Sequence, residues 1–241
     1  MTMPPAAAGP PAVIWDAHGT LVLRAVSEQE VGLRALIAGG LSPFGLRAES
    51  IERARAYRID AMLQWRTAEE EAEGFRRVAA LLLDGVEPPP TPDQIARVGA
   101  SFAAYDDVYR PIPGIREILD ELLDRGIRQA VVSNWPPSLR RFLDHHDLTR
   151  YFSVVVCSAE EGILKPDPEL LRRALVHLGV VAAEAVYVGD RLDLDVAPAR
   201  MLGVPVIHFS PSGLEPDAEA RDAASLRAIL FARLGLAASV E

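Results

Sequence analysis

The amino-acid sequence predicts an α/β protein with a Rossmann-like parallel sheet core and an inserted, all-helical cap. Short apolar runs alternate with amphipathic helical segments after residue 110, which is typical of parallel strands joined by helices that cover both faces of a sheet. A further apolar run begins at residue 12, whereas residues 26–109 show helical patterns only. We therefore expect residues 1–24 and 110–241 to form the core and residues 25–109 to form the cap.

The first predicted strand is the apolar run AVIW, which ends at Asp16. A carboxylate at the carboxyl end of a strand in an open α/β sheet lies where such sheets bind ligands. An isolated aspartate in a D-x-x-G-T segment more often only caps a turn, so a functional interpretation depends on partners further along the chain. The preceding residues 1–12 are rich in alanine and proline, and we expect a flexible tail without the features of a signal peptide.

Three helical regions are predicted within the cap. Ser27 begins the first with a capping box, and a pair of glycines ends it at residues 39 and 40. The second spans residues 50–84, and Gly74 is expected to interrupt it. The third begins at the segment TPDQ and runs to about Tyr109. The many arginines of the cap could contact an anionic substrate, although a charged helix face is usually just the solvated one.

The chain after residue 110 alternates between helices and strands. Pro113 lies near the start of one helix, and Gly126 ends it. The other elements follow in alternation, and a last amphipathic helix closes the core. The predicted strands are 129–133, 153–157, 185–189 and 205–209, and the predicted helices are 138–146, 168–178, 194–202 and 224–234.

The charge and composition of the 241-residue chain exclude several classes of protein. A net charge of −9 disfavours a general nucleic-acid binder, because phosphate backbones are held by basic surfaces. No apolar run approaches the roughly 20 residues of a membrane-spanning helix. The lone Cys157 excludes an intrachain disulfide and suits a reducing cytoplasm. We expect a cytoplasmic monomer or homodimer that acts on a small molecule, with no nucleic-acid or membrane partner.

Polar side chains follow several predicted strands, at the sheet edge where Asp16 is expected. One is the single lysine of a chain with 24 arginines, which indicates a place that requires a compact ammonium group. Asp16 and Asp190 are suited to share a divalent cation, usually Mg²⁺, while Lys165 and Ser133 hold the non-bridging oxygens of a phosphate. A free oxygen of Asp16 could then attack phosphorus in line. The polar residues at this edge are Asp16, Ser133, Asn134, Lys165, Asp190, Asp193 and Asp195.

Four segments resemble, in this order, the motifs of the haloacid dehalogenase (HAD) superfamily, and the helical insertion is similar to the C1 cap of its subfamily IA. The segments are WDAHGT, VVSN, LKPDP and GDRLDLD. The resemblance implies an HAD-like hydrolase in which Asp16 is the nucleophile and forms an aspartyl intermediate. The implied substrate contacts are Thr20, Ser133, Asn134 and Lys165. The implied Mg²⁺ ligands are Asp16, the backbone carbonyl of His18, Asp190 and, in support, Asp195.

The first motif departs from that of HAD phosphatases, which usually have D-x-D where this chain has D-x-H. The second aspartate of the phosphatases protonates the leaving group. We expect His18 to act as acid and base instead, because its ordinary pKa of about 6.5 suits both duties. The related dehalogenases also lack the second aspartate and have DAYGT, but they need no metal and lack the GD-x4-D pattern that is complete here.

Three functional interpretations remain open from the sequence. The four motifs favour a Mg²⁺-dependent phosphatase of a small phosphate monoester, which uses an aspartyl-phosphate intermediate and has Asp16, His18 and Lys165 as catalytic residues. The DAHGT segment keeps a 2-haloacid dehalogenase as an alternative. The third interpretation is a catalytically weak HAD-like protein that binds a phosphorylated ligand or a partner. Fold alone does not choose among them.

Overall fold

A computed structural model describes residues 11–62, 64–104, 107–213 and 215–236. The predicted tail lies almost wholly on residues 1–10, outside the described residues. The centre of the structure is a sheet of five parallel strands. The sheet strands are β1 (Ala12–Trp15), β4 (Arg128–Ser133), β5 (Val154–Cys157), β6 (Ala185–Gly189) and β7 (Val206–His208), and a separate antiparallel pair consists of β2 (Val22–Arg24) and β3 (Tyr109–Pro111). The order across the sheet is β5-β4-β1-β6-β7.

Strand β1 lies at the centre of the sheet because both of its faces are apolar. All four of its residues are fully buried, with Val13 and Trp15 in one core cluster and Ala12 and Ile14 in a second. The indole N–H of Trp15 donates to Oε1 of Gln129 at 3.1 Å, which satisfies its buried polar atom. The predicted fold class, a parallel sheet core with a helical cap, is confirmed.

The described residues of the cap form four α-helices, and two of the predicted helix starts are confirmed by their capping contacts. The Ser27 hydroxyl accepts the backbone N–H of Glu30 at 3.1 Å. Thr91 and Gln94 form a reciprocal capping box, which satisfies two backbone donors. The helices are α1 (Glu28–Ala38), α2 (Ala48–Ala61), α3 (Ala68–Leu82) and α4 (Pro92–Ala103).

The prediction that Gly74 interrupts the helical region over 50–84 is wrong. The helical region is interrupted instead between Ala61, where α2 ends, and Thr67, whose side chain caps the start of α3. Gly74 is inside α3, and a Cβ built on it would overlap the ring of Trp65. This glycine therefore allows a buried aromatic side chain to approach the helix backbone.

The third predicted helix of the cap corresponds to α4, which is shorter than predicted and ends at Ala103. Tyr109, the predicted end, belongs to strand β3. Strands β2 and β3 pair in antiparallel register, with Leu23 opposite Arg110. With three residues each, they are too short to show a periodic pattern in the sequence. The chain enters the helical segment from β2 and leaves it into β3, and we propose that the cap comprises residues 25–109.

The core helices match the predictions, apart from the segment at residues 194–202 and the short helix Ser158–Glu161, which was not predicted. They are α5 (Ile115–Asp124), α6 (Leu139–His145), α7 (Ser158–Glu161), α8 (Pro168–Leu178), α9 (Ala197–Met201) and α10 (Ala223–Arg233).

The predicted helix over 194–202 begins instead as a π-helical turn at Leu192–Val196, which is followed by α9. The N–H groups of Asp195 and Val196 both bond to the carbonyl of Arg191. The widened turn carries the Asp195 side chain into the protein interior, where 1% of the residue is exposed. Such turns often occur at functional sites. Within the described ranges, no helix is long and apolar enough to cross a membrane.

Candidate active site

The ammonium group of Lys165 joins the ends of the central strands. Its Nζ lies 2.5 Å from Oδ1 of Asp16 and 2.6 Å from Oδ1 of Asp195. All three residues are buried, so the surrounding protein screens these charges less than water would. The structure thus brings together the residues that were predicted from three separate motifs.

Asn134 holds the loop that carries Lys165. Its side-chain amide donates to the backbone carbonyl of Lys165 at 3.0 Å, and its Oδ1 accepts the backbone N–H of the same residue at 2.8 Å. These two bonds fix the start of the lysine side chain relative to strand β4. Asn134 is therefore a positioning residue in this structure, and its contact with a substrate stays a prediction.

Two predicted hydroxyl groups lie beside the nucleophile candidate. Ser133 Oγ is 3.5 Å from Oδ1 of Asp16, at the outer limit of a hydrogen bond. Thr20 is fully buried, and its hydroxyl oxygen has no hydrogen-bond partner. A buried polar group without a partner is costly, so Thr20 fits a position that a ligand completes.

The acidic residues have the arrangement of a metal site. Asp16, Asp190 and Asp195 each offer one oxygen within 4.8 Å of the others. Oδ2 of Asp16 and Oδ1 of Asp190 are buried and have no hydrogen-bond partner. Carboxylate oxygens are the ligands that Mg²⁺ prefers, and a cation would satisfy both of these atoms. The residues therefore fit a hard divalent cation.

Asp195 differs from the other two carboxylates because its oxygens are already occupied. Oδ1 accepts from Lys165 and, at 2.8 Å, from the hydroxyl of Tyr187, while Oδ2 accepts the backbone N–H of Arg191 at 3.0 Å. These contacts orient the ammonium group and the turn after strand β6. They support a positioning role for Asp195, whereas its predicted contact with a metal stays a prediction.

Burial shifts the pKa values of Asp16 and Asp190 upwards. It raises the pKa of Asp16 to about 6 against the opposing charge of Lys165. Burial, together with the charge of Asp16, raises the pKa of Asp190 to about 7. Burial alone would lower the pKa of Lys165, but the carboxylates of Asp16 and Asp195 outweigh it and raise the value. The lysine therefore stays protonated. At the two aspartates, protons and a cation would compete for the same carboxylate oxygens.

The turn after β1 needs a glycine for a steric reason. Gly19 has a φ of +95°, and a Cβ built on it would overlap the carboxylate of Asp190. The backbone at Gly19 can therefore approach the acidic cluster only without a side chain. This explains the glycine of the D-x-x-G-T segment in physical terms.

His18 lies at the outer side of this cluster. It is exposed, and its ring meets that of Tyr109 edge to face with centroids 5.2 Å apart. Desolvation by the atoms around the ring, together with the positive charge of Arg24, lowers the pKa of His18 below its ordinary value. The neutral imidazole therefore predominates at pH 7. The carbonyl of His18 as a metal ligand stays a prediction.

The sequence did not identify the roles of two buried polar residues, one in the sheet and one in the cap. Tyr187 contacts Asp195 and lies 3.3 Å from Nζ of Lys165. A tyrosine within an aliphatic strand was the available signal, because its hydroxyl needs a partner when buried. Glu71 of α3 reaches the core and accepts from the backbone N–H and the hydroxyl of Ser138 at 3.0 and 2.7 Å. It was hidden within a run of glutamates.

Comparisons with known proteins agree with this geometry. A model of the haloacid dehalogenase-like hydrolases matches residues 90–209. The glyceraldehyde 3-phosphate phosphatase of Methanopyrus kandleri is 30% identical over 211 residues, which cover 82% of this chain and 83% of that protein. The chain belongs to the haloacid dehalogenase-like hydrolases.

Two further similar proteins match different shares of this chain and are named for different reactions. The phosphoserine phosphatase of Thermus thermophilus is 36% identical over 127 residues, which are 52% of this chain and 51% of that protein. The chain thus spans only about half the length of this curated relative. A solved structure of a 2-haloacid dehalogenase from Pseudomonas syringae aligns with a TM-score of 0.66 and 26% identity, covering 92% of this chain and 98% of that one.

Proposed function

We propose that this protein is a Mg²⁺-dependent phosphatase that hydrolyses a small phosphate monoester through an aspartyl-phosphate intermediate. The observation that carries the proposal is the pair of buried, unpartnered oxygens on Asp16 and Asp190 beside the ammonium group of Lys165. A cation and a phosphate would complete this arrangement. The names of two relatives, both phosphatases, support the same reaction class.

In the first step, an oxygen of Asp16 forms a bond to phosphorus, and the bond from phosphorus to the ester oxygen breaks. The leaving oxygen takes a proton from protonated His18. Lys165 and Ser133 hold the non-bridging oxygens during this transfer and stabilise their charge. Mg²⁺, held by Asp16 and Asp190, would supply additional positive charge for the phosphate oxygens.

In the second step, neutral His18 takes a proton from a water molecule, whose oxygen forms a bond to phosphorus. The bond from phosphorus to Asp16 breaks, and the carboxylate is regenerated together with inorganic phosphate. His18 ends this step protonated, as it was at the start of the cycle. The two steps therefore balance as the hydrolysis of one ester by one water molecule.

A specific observation keeps the dehalogenase as a second candidate, since the solved 2-haloacid dehalogenase aligns over nearly the whole chain. In that reaction Asp16 would attack carbon and displace a halide. The intact pair of Asp190 and Asp195 is the feature that favours the phosphatase. Phosphate release from an aryl phosphate, with and without EDTA, should be compared with chloride release from 2-chloropropionate. EDTA-sensitive phosphate release is expected; chloride release alone would establish the dehalogenase, and neither product would favour a binding protein.

Mg²⁺ should stabilise the protein through the acidic cluster. At a Mg²⁺ concentration about 100 times the Kd, we expect the melting temperature to rise by about 5–10 °C at pH 8. The rise should shrink at pH 5.5, because the raised pKa values of Asp16 and Asp190, about 6 and 7, let protons occupy both carboxyls there. Asp190→Ala should abolish the rise, whereas the exposed Asp193→Asn serves as the matched control. An equal rise in Asp190→Ala would place the metal elsewhere.

His18 should control the pH dependence of turnover. Because the pKa of His18 is lowered, we expect the change in turnover rate that follows its protonation to lie below pH 6.5 in a plot of rate against pH. His18→Ala should lose about 10² to 10⁴ in rate, and this change with pH should disappear. Steady-state kinetics between pH 5 and 9 provide the measurement. A large gain in phosphate release for His18→Asp, with His18→Ala no slower than the wild type, would falsify the acid–base role.

A further inference from the structure

The cap helices form a cavity, partly open to solvent, whose lining includes none of the proposed catalytic residues. Its volume is about 560 Å³, within the range of small-molecule pockets. Helices α1 and α2 flank it, and α3 and α4 contribute an apolar wall that includes Phe75, Val78 and Phe102. The cavity is therefore built for an apolar group of substantial size.

The two ends of the cavity differ in polarity. Arg24, Glu28 and Arg58 line the end nearest the core, since Glu28 begins the helix that follows β2 and pairs with Arg58 at 3.6 Å. Leu36 and Leu82, near the far ends of α1 and α3, line the opposite end. A ligand that matches both ends has a polar head towards the core and an apolar tail within the cap.

The polar end carries an excess of positive charge. Arg24 and Arg58 lie there beside the single carboxylate of Glu28, although the whole chain has a net charge of −9. Arg55 lines the cavity one turn away along α2. Among the described residues, Arg24 and Arg55 have no ion-pair partner, and Arg58 pairs only with Glu28. Such uncompensated guanidinium groups favour an anionic head group.

This polar end borders the candidate active site. The guanidinium of Arg24 lies over the ring of Tyr109, 5.6 Å from its centroid, and that ring in turn meets His18. His18 is two residues beyond Asp16 in the turn after β1. A phosphate ester bound at Asp16 that extends past His18 and the ring of Tyr109 reaches the Arg24 end of the cavity.

We infer that the substrate is an amphipathic phosphate monoester whose phosphate binds at Asp16 and Lys165 and whose apolar tail fills the cap cavity. This inference rests on the proposed phosphatase function and adds the chemical class of its substrate. Arg24 contacts the anionic head, and the apolar wall of α3 and α4 covers the tail. Short, wholly polar esters leave the cavity unfilled and gain nothing from it.

The test uses linear alkyl phosphates from methyl to octyl phosphate. We expect kcat/KM to rise by up to about fourfold for each added methylene until the cavity is full. Gly32 of α1 lines the cavity, and a Cβ built on it meets no atom within 4 Å, so Gly32→Leu can fill the space without a clash at its Cβ. This variant should flatten the octyl-to-methyl ratio of kcat/KM. Ala38→Leu, at an exposed position of the same helix outside the cavity lining, should keep the wild-type ratio.

A binding measurement separates this inference from the proposed function. Octylphosphonate should raise the melting temperature more than methylphosphonate does, and Gly32→Leu should remove the difference. If no phosphate ester is hydrolysed, the phosphatase proposal fails and this measurement alone decides the inference. No dependence on chain length in either assay overturns the inference. The inference is also overturned if Gly32→Leu changes the oligomeric mass but leaves the octyl-to-methyl ratio of kcat/KM unaltered. In that case a second copy of the chain occupies the cavity.

Discussion

Asp16→Asn should abolish phosphate release, with a loss of about 10⁴-fold or more in kcat/KM. The amide has the shape of the carboxylate, but it is a poor nucleophile, so no aspartyl intermediate forms. Stopped assays with an aryl phosphate provide the measurement, and the exposed Asp193→Asn should stay within about twofold of wild type as the matched control. Activity of Asp16→Asn within tenfold of the wild type would remove Asp16 from the mechanism.

The stability of Asp16→Asn shows whether its loss of activity is a loss of chemistry or of fold. Because burial raises the pKa of Asp16 to about 6, its ionised form costs folding free energy, and this cost appears as the pH rises through that value. The asparagine carries no such cost above pH 6. We therefore expect its melting temperature in metal-free buffer at pH 8 to equal or exceed that of the wild type.

Lys165→Arg should be nearly as damaging as Lys165→Ala, with a loss of at least about 10²-fold in kcat/KM for both. The ammonium group fits between carboxylate oxygens at 2.5 and 2.6 Å, and a planar guanidinium cannot occupy the same buried point. Lys165→Ala should also be destabilised by about 3–5 kcal/mol, because it leaves two buried carboxylates without their cation.

The comparison of the two lysine variants is the decisive measurement. Chemical denaturation of both separates any loss of stability from the loss of turnover. Arg172→Lys, an exchange of the same two residue types at an exposed position of α8, should change neither quantity. If Lys165→Arg retained most of its activity, the requirement for a point charge would be refuted.

The sequence predicted the core of the site because its residues lie at the ends of apolar strands. Asp16 follows β1 and Asp190 follows β6, and adjacent parallel strands bring such positions to one edge. The contacts of Asn134 and Tyr187 were not predictable in the same way. Each depends on the distance to a residue in another loop or strand, which local periodicity does not encode.

The cap was harder to predict than the core for a related reason. Gly74 has the local character of a helix breaker, yet it lies inside α3 because Trp65 packs against its backbone. Glu71 occurs in a charged run that is typical of a solvated helix face, yet its carboxylate is buried against Ser138. In both cases a packing contact from beyond the neighbouring helical turns overrides the local preference.

The contact between Glu71 and Ser138 has a consequence for the catalytic cycle. Both chain crossings between cap and core run through the β2–β3 pair. Glu71 contacts the core at a separate point, as does the Ala103 carbonyl, which accepts from Arg141. Swinging the cap open breaks two hydrogen bonds to a buried carboxylate, at a cost of about 1–3 kcal/mol. If product leaves through such an opening, the contact between Glu71 and Ser138 can set the pace of turnover.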